Sequence, residues 1–448
     1  MKIAILLPYK ENFSPEYPGA VSLFVNETSK ISKYKKNIIV FGNTEYKIKF
    51  KLKYVNINLK KNFLTSQTKN YVTKFLKIQK KFNISIIEVH NRPSYINQLS
   101  KNVGKIVLSL YFHNDPLSMD GSKTIGERKK LLKTCYKIIF NSNWSKKRFL
   151  EGLENKFVNS NKLVVFFQSA SKKDSSILKK KKNWITFVGK LNKAKGYDVF
   201  AAAIKKILDK YPNWKAKIIG DEKREKIFLK HKNVDLLGFL NHDKVLKIFE
   251  QSSIAVACSR WEEPFGRTSL EASANGCAVI ITNKGGLPET ITNAKILENL
   301  NVKNLEKSIL NLINNNVERK RLQTLSLLNF YLTHSFVAKM IDNYRDEKLR
   351  IHNFNTPKYK KTLRILHITN FNERLDGRLF FNTGRRINNG FIRQGHSVLG
   401  FSDRDIQKYY RSINDYKGAK TLNDKLKKTC YNYKPDLIIL GHADLISK

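Results

Sequence analysis

The stretch WEEPFGRTSLEASANGCAVIITNKGGLPE, Trp261 to Glu289, decides the fold. Two carboxylates, Glu263 and Glu271, bracket a Pro264-Phe265-Gly266 turn that runs into a predicted helix, Arg267–Asn275. A short apolar strand, Cys277–Ile281, and a Gly285-Gly286 turn follow. A glycine before a helix start is a place to hold phosphate. The N–H groups of Gly266, Arg267 and Thr268 lack intrahelical partners there and sit at the positive end of the helix dipole. Carboxylates beside them can hold sugar hydroxyls. Leu270, Ala274 and Cys277 mark the buried side, which leaves Glu271 at its border near a cleft. Two acids at a helix start are common in any solvated helix. The two glycine turns make this stretch more specific and point to a ligand carrying both phosphate and hydroxyls.

Around that stretch, apolar runs alternate with helix-like segments. Strands are expected at Trp184–Val188, Lys215–Ile219, Asp235–Leu237 and Ile254–Cys258, with helices at Tyr197–Lys210, His242–Gln251, Val302–Asn315 and Glu318–Asp346. The same alternation runs earlier, from Ile3–Leu7 through Lys105–Leu110 to Leu163–Phe166. Short, wholly apolar strands separated by helices mean parallel sheets covered on both faces. The fold class is therefore α/β: two doubly wound Rossmann-like domains, then a partial third. The expected boundaries are 1–168, a linker 169–183 holding the run Lys179–Lys182, 184–330, a C-terminal helix 331–352 packing back across the domains, a linker 353–361, and 362–448. Ligands in such sheets bind at strand carboxyl ends, so the cleft between the first two domains is the expected site. In the last segment Leu363–Ile368 repeats the character of the first strand, Asp376-Gly377 precedes a helix-like stretch Phe380–Arg393, and GHSVLGFSD echoes KNIIVFGNTE. That copy stops before its sheet could close, as expected of a longer tandem chain or a truncated product.

Composition narrows the function classes. The 448 residues are 41% hydrophobic and 11% aromatic, enough for more than one core. Apolar runs of the length a spanning helix needs are absent, and the opening MKIAILLPYKENF turns polar too soon for a secretory signal. Cys135, Cys258, Cys277 and Cys430 form no C-x-x-C pair, which argues against zinc and disulfides. A cytoplasmic protein, peripheral on the inner face of a membrane, is the expectation. The net charge of +47 comes mainly from lysine spread along the whole chain. It reads first as a compositional bias and second as affinity for an anionic membrane surface. Nucleic acid is not favoured, since no base-reading module accompanies the charge. Lys69, Lys74, Lys77, Lys80 and Lys81 alternate with Val72, Phe75, Leu76, Ile78 and Phe82 in a basic amphipathic helix, which either packs on the core or lies on a bilayer.

Glu263-Pro264-Phe265-Gly266, Glu271-Ala272, Gly276, Val279-Ile280, Gly285-Gly286 and Glu289 resemble the donor-site signature of retaining GT-B glycosyltransferases of family 4, also called group 1. Ala278 stands where that family commonly has proline. Further landmarks follow in order over residues 1–350. Gly189-Lys190-Leu191 with Lys195-Gly196 resembles the element whose two cations grip the donor diphosphate; Lys190 replaces the commoner arginine and loses its fork. Gly19, in Pro18-Gly19-Ala20, resembles the glycine loop near the phosphates. His113, in Tyr111-Phe112-His113-Asn114-Asp115, stands where the family has a histidine facing the donor sugar. Gly238-Phe239 resembles the loop beside the nucleobase, and Ser142 reads as a helix cap. Phe166-Phe167-Gln168-Ser169-Ala170 occupies the place of the family's Asn-Gly turn.

The resemblance implies transfer of a sugar from a nucleotide-sugar donor with retention at the anomeric carbon. The nucleotide-sugar is substrate; a cofactor and a metal are not expected, and the sequence is read as lacking an Asp-x-Asp motif, in keeping with metal independence. Catalytic residues by this reading are Glu263, His113, Lys195 and Lys190. Donor-binding residues are Gly19, Gly189, Gly238, Phe265, Gly266, Arg267, Thr268 and Glu271, with Glu263 on the sugar hydroxyls and Glu271 on the ribose. The acceptor is expected to be a glycan or a lipid-linked molecule on the first domain. Alternatives are another GT-B activity, such as a sugar-nucleotide epimerase or a glucan synthase, and a non-catalytic basic protein that binds nucleic acid or membrane.

Overall fold

Runs of consecutive apolar residues become strands here because both faces of each sheet are covered. In the computed structural model, residues 2–447 are described except 60–65, 159, 223, 226, 292, 356–361 and 376–381. Asp376-Gly377 and most of the expected linker 353–361 thus lie outside the described residues. The chain forms two compact units, Met1–Asp346 and Glu347–Lys448.

The first unit holds two parallel sheets. In the first are β1 (Lys2–Leu6), β2 (Ile38–Gly42), β3 (Tyr54–Asn56), β4 (Ile84–His90), β5 (Val107–Phe112), β6 (Lys137–Phe140) and β7 (Leu163–Val165). Their order is β3-β2-β1-β4-β5-β6-β7. The second sheet has β8 (Lys182–Val188), β9 (Lys215–Ile219), β10 (Val234–Leu236), β11 (Ser252–Ala257), β12 (Ala278–Thr282) and β13 (Ala294–Leu297), in the order β10-β9-β8-β11-β12-β13. Strand order reverses between β1 and β4 and again between β8 and β11. At such a switch point the flanking loops part and leave a crevice. The edge strands β3 and β13 escape the sequence reading: both are short and mostly half-buried, so neither has an apolar run to betray it.

The basic helix Gln67–Gln79 buries Tyr71, Val72 and Phe75 in the first domain's core. Its apolar face is therefore occupied, and only the lysine face meets solvent. The expected helix Glu318–Asp346 is two helices, Asn316–Leu328 and His334–Asn355. The break exists because Leu332 O accepts from Ala170 N and Thr333 pairs with Ala170 at the hinge. The supposed linker is also shorter, since β8 starts at Lys182 and a 3-10 turn occupies Ser175–Lys180.

The helix that starts at His334 returns to the first domain and is held by charge. Arg345 Nε and Nη2 donate to Glu88 of β4 at 2.8 and 2.7 Å, with both side chains fully enclosed. Asp342 accepts from Ser32 Oγ and Lys33 N, and Tyr344 bonds Ser109 of β5.

The second unit has a three-stranded parallel sheet of β14 (Arg364–Thr369), β15 (Ser397–Ser402) and β16 (Leu437–Gly441), ordered β15-β14-β16. That order repeats β2-β1-β4, so a third, partial Rossmann-like domain is present. Its edge strand β16 exposes Ile438 and Leu440. This unit also carries an Asp-x-Asp sequence, Asp403-Arg404-Asp405, outside the region of family resemblance; both carboxylates are buried.

Breaking the Arg345–Glu88 pair strands a buried carboxylate. Arg345→Met is expected to cost about 3–5 kcal/mol in denaturant unfolding, and the double change Arg345→Met with Glu88→Gln to cost less than the single one. A double variant no better than the single would refute this account of the strap.

Candidate active site

Gly266 turns the chain from the β11 loop into the helix Arg267–Ala274. Its φ is 107°, a left-handed conformation that favours glycine, and it offers that helix no side-chain cap. The helix start therefore opens onto a cavity of about 250 Å³. Glu263, Phe265, Gly266, Arg267 and Thr268 line it from one side, with Lys195 beside them and His113 from the first domain opposite. The Gly285-Gly286 turn fixes the backbone of Glu263. Gly286 N donates to Glu263 O at 2.6 Å, and a Cβ on Gly285 would lie 2.2 Å from the same oxygen.

Lys195 and Glu263 form an ion pair across the cavity wall. Asn192 Oδ1 accepts from Lys195 N at 3.0 Å and so shapes the turn that presents the lysine. Ala194 O accepts from Arg260 N and Trp261 N, which ties the loop after β8 to the loop after β11. Lys190 is exposed and does not line this cavity. Phe265 packs into the hinge core with Phe167, Ala170 and Phe330, so its ring is chiefly a hinge anchor. Gly189 and Gly238 both meet the end of β9: Gly189 N donates to Ile219 O, and Gly238 O accepts from Gly220 N. At Gly19 the carboxylate of Glu11 takes the start of the helix Ala20–Ile31, accepting from Ser22 N at 2.9 Å. Burial raises the Glu11 pKa against that bond.

His113 N donates to Asn91 Oδ1, and His113 O accepts from Asn141 Nδ2. Its imidazole is buried, which pushes its pKa down to about 3 and keeps it neutral. Ser142 caps the helix Asn143–Leu150, as expected from the sequence. Glu289 reaches the same helix start from the other domain, accepting from Asn143 N and Trp144 N at 2.7 and 2.8 Å.

Glu263 and Glu271 do not share one cavity. Glu271 is buried and faces a second, larger cavity of about 570 Å³ with Glu27, Asn241, His242, Arg267 and His334. Arg267 Nε donates to Glu271 at 2.6 Å, and Arg267 Nη2 donates to Glu27 of the first domain at 2.7 Å. His242 Nε2 lies 2.8 Å from Glu271. Burial opposes the charge on Glu271, but Arg267 and His242 outweigh it and hold its pKa below the usual carboxylate value. The same bond raises His242 against its own burial. Glu27, His242 and His334 carry no local sequence signal; they meet only through the closed cleft.

The architecture defines a class: two Rossmann-like domains facing across a cleft, the GT-B arrangement of nucleotide-sugar enzymes. Residues 168–325 match the model of the family described as Glycosyl transferases group 1, and the chain is a glycosyltransferase carrying a domain of that group. Spore coat protein SA of Bacillus subtilis (strain 168) is 23% identical over 354 residues, 72% of this chain and 92% of that protein. The uncharacterized glycosyltransferase MJ1607 of Methanocaldococcus jannaschii is 36% identical over 115 residues, 24% of this chain and 29% of its own length. Among solved structures, Anabaena Alr3699/HepE in complex with UDP-glucose superposes with a TM-score of 0.61 at 15% identity, covering 78% of this chain and all of that one.

The Glu271 cluster gives a pH signature. The raised His242 pKa contributes stability that is complete below its unfolded value, about 6.5, and is lost as pH rises through the folded value. The lowered Glu271 pKa contributes stability present above about 4.5 and lost as pH falls. Wild type is therefore expected to lose more Tm than His242→Gln between pH 6 and 8.5, the assay range. Parallel Tm profiles would contradict the assignment.

Proposed function

We propose that this chain is a retaining glycosyltransferase that moves a sugar from a nucleotide-diphosphate donor to a glycan or lipid-linked acceptor, in cell-surface polysaccharide or lipopolysaccharide synthesis. One observation carries the reading: Lys195, Glu263 and an uncapped helix start share a cavity with His113 of the facing domain. A sugar diphosphate supplies a partner for each of them. Its phosphates meet Lys195 and the N–H groups of Gly266–Thr268. Its hydroxyls meet Glu263 and His113. Lys190, on the rim of the same loop, adds charge from the solvent side. The solved HepE complex, which has the same fold, holds UDP-glucose, and this supports a donor of that class.

In this reading the bond from the anomeric carbon to the phosphate oxygen breaks as the acceptor oxygen attacks from the same face. The acceptor proton passes to the departing phosphate oxygen. The growing negative charge on the diphosphate is met by preorganised N–H dipoles and Lys195, which need no reorganisation during the step. Glu271 and Gly238 belong to the nucleoside end, towards the second cavity. That cavity's first-domain wall combines Lys30, Lys49 and Lys51 with Ile48 and Phe50. Charge beside apolar surface there suits a peripheral place on an anionic membrane, from which a lipid-linked acceptor would reach the first cavity.

A panel of nucleotide-sugars scored by nucleotide diphosphate release tests the reading. Glu263→Ala and Lys195→Ala are each expected to lower kcat/KM by about 10²–10³. Activity surviving both changes would remove the site assignment. The product's anomeric configuration by NMR tests retention. Vesicles of phosphatidylglycerol are expected to retain the protein at low salt and release it at high salt; no retention at low salt would sink the membrane reading.

A further inference from the structure

His113 does not stand alone. His90, the last residue of β4, is buried beside it, with His90 Nδ1 and His113 Nε2 3.0 Å apart. The ring planes are 19° from parallel and the centroids 5.2 Å apart, so the contact runs nearly in the plane of both rings. That is the geometry of an N–H···N hydrogen bond. Burial lowers the pKa of both imidazoles, and for His90 the charges of His113 and Arg345 push the same way. Two neutral rings share one proton across this contact. Whichever nitrogen holds it fixes the tautomer of both rings.

The remaining nitrogens decide the direction. His90 Nε2 and His113 Nδ1 are both buried without a hydrogen-bond partner among the described residues. If His113 Nε2 carried the shared proton, His90 Nε2 would be an orphaned N–H in the interior, on a residue that does not line the cavity. If His90 Nδ1 carries it, the unmatched N–H is His113 Nδ1, on a residue that lines the cavity with Glu263 and Lys195. An orphaned buried donor is rarer and costlier than an under-used acceptor. The second arrangement leaves its unmatched donor on the residue of the pair that lines the cavity, buried beneath its surface.

We propose that His90 is a positioning residue: its Nδ1–H donates to His113 Nε2, so that His113 presents Nδ1–H as a fixed donor to a hydroxyl oxygen of the sugar being transferred. This rests on the glycosyltransferase reading above for the identity of the ligand, but not for the tautomer.

Two measurements test it on the full chain. First, ¹⁵N-histidine NMR reads the tautomers without any turnover, with assignments from His→Gln changes at the other histidines. The expected result is protonated Nδ1 and bare Nε2 on both rings. Protonated Nε2 on His113 overturns the proposal even if wild type transfers sugar normally. Absence of transfer by wild type, with the expected tautomers, counts instead against the glycosyltransferase reading. Second, variants separate positioning from packing. His90→Asn places an amide N–H near the former Nδ1, whereas His90→Leu removes the donor. Asn is expected to stay within about threefold of wild-type kcat, and Leu to lose about tenfold or more with donor KM changed less than kcat. Equal loss in both variants, with both folded by circular dichroism, means packing alone and overturns the proposal. Should His90→Leu not fold, the NMR tautomers and the Asn variant decide it.

Discussion

The geometry of the cleft depends on one buried ion pair. Arg345 comes from the returning helix, and Glu88 from the middle of the first sheet. The Glu88 charge could not remain enclosed without Arg345, because an unpaired buried charge costs several kcal/mol; Arg345 also holds Asp342 at 3.1 Å. A bidentate guanidinium–carboxylate contact also tolerates little rotation, so it orients the helix as well as holding it. Tyr344, beside Arg345, bonds Ser109. Glu88 lies two residues before His90, and Ser109 four before His113. The strap thus grips the two strands whose carboxyl ends deliver the histidine pair. Arg345 also contributes directly, since its positive charge helps to keep His90 neutral.

The strap fixes one side of the cleft, and the hinge fixes the other. Ala170 pairs with Thr333, Phe265 packs on Phe167, and Glu289 caps the helix that starts at Asn143. Residues of the signature stretch therefore do two jobs. Glu263 and Gly266 face the cavity, while Phe265 and Glu289 bind the donor-side domain to its neighbour. This explains why the stretch is so specific in sequence. Phe265 serves both ends, since it also lines the cavity, whereas Glu289 acts at the domain contact alone.

Much of this was legible because the fold repeats a simple rule. Each mainly apolar run ended at a loop, and the loops after β1, β5, β8 and β11 carried Gly19, His113, Lys195 and Glu263. Parallel sheets place all such loops at one end, so their convergence followed from the alternation itself. Lys190 shows the limit of that rule. It occupies the same loop as Lys195, yet only Lys195 is turned inward by the Asn192 bond, and residue type alone does not distinguish them. Glu271 shows another. Its spacing from Glu263 suggests a pair, but the turn at Gly266 sends the two side chains to different cavities. Charge pairs such as Arg267–Glu27 and Arg345–Glu88 join residues hundreds of positions apart and leave no periodicity to read. His90 was invisible for a similar reason: a histidine ending an apolar strand reads as one more core residue until its partner is placed.

The ion pairs of the site also constrain what can enter it. Lys195 and Glu263 now satisfy each other, and Glu263 is only 13% exposed. A bare diphosphate can draw Lys195 away, but it leaves the carboxylate poorly solvated and without a cation. A sugar alone can donate hydroxyls to Glu263, yet it offers Lys195 no anion. Only a ligand with both parts repartners each group at once, so neither half recovers the full binding free energy by itself. Under the proposed reading, selection for an intact sugar-nucleotide therefore arises from the Lys195–Glu263 pairing itself. It needs no contact beyond those that hold the phosphates and the hydroxyls.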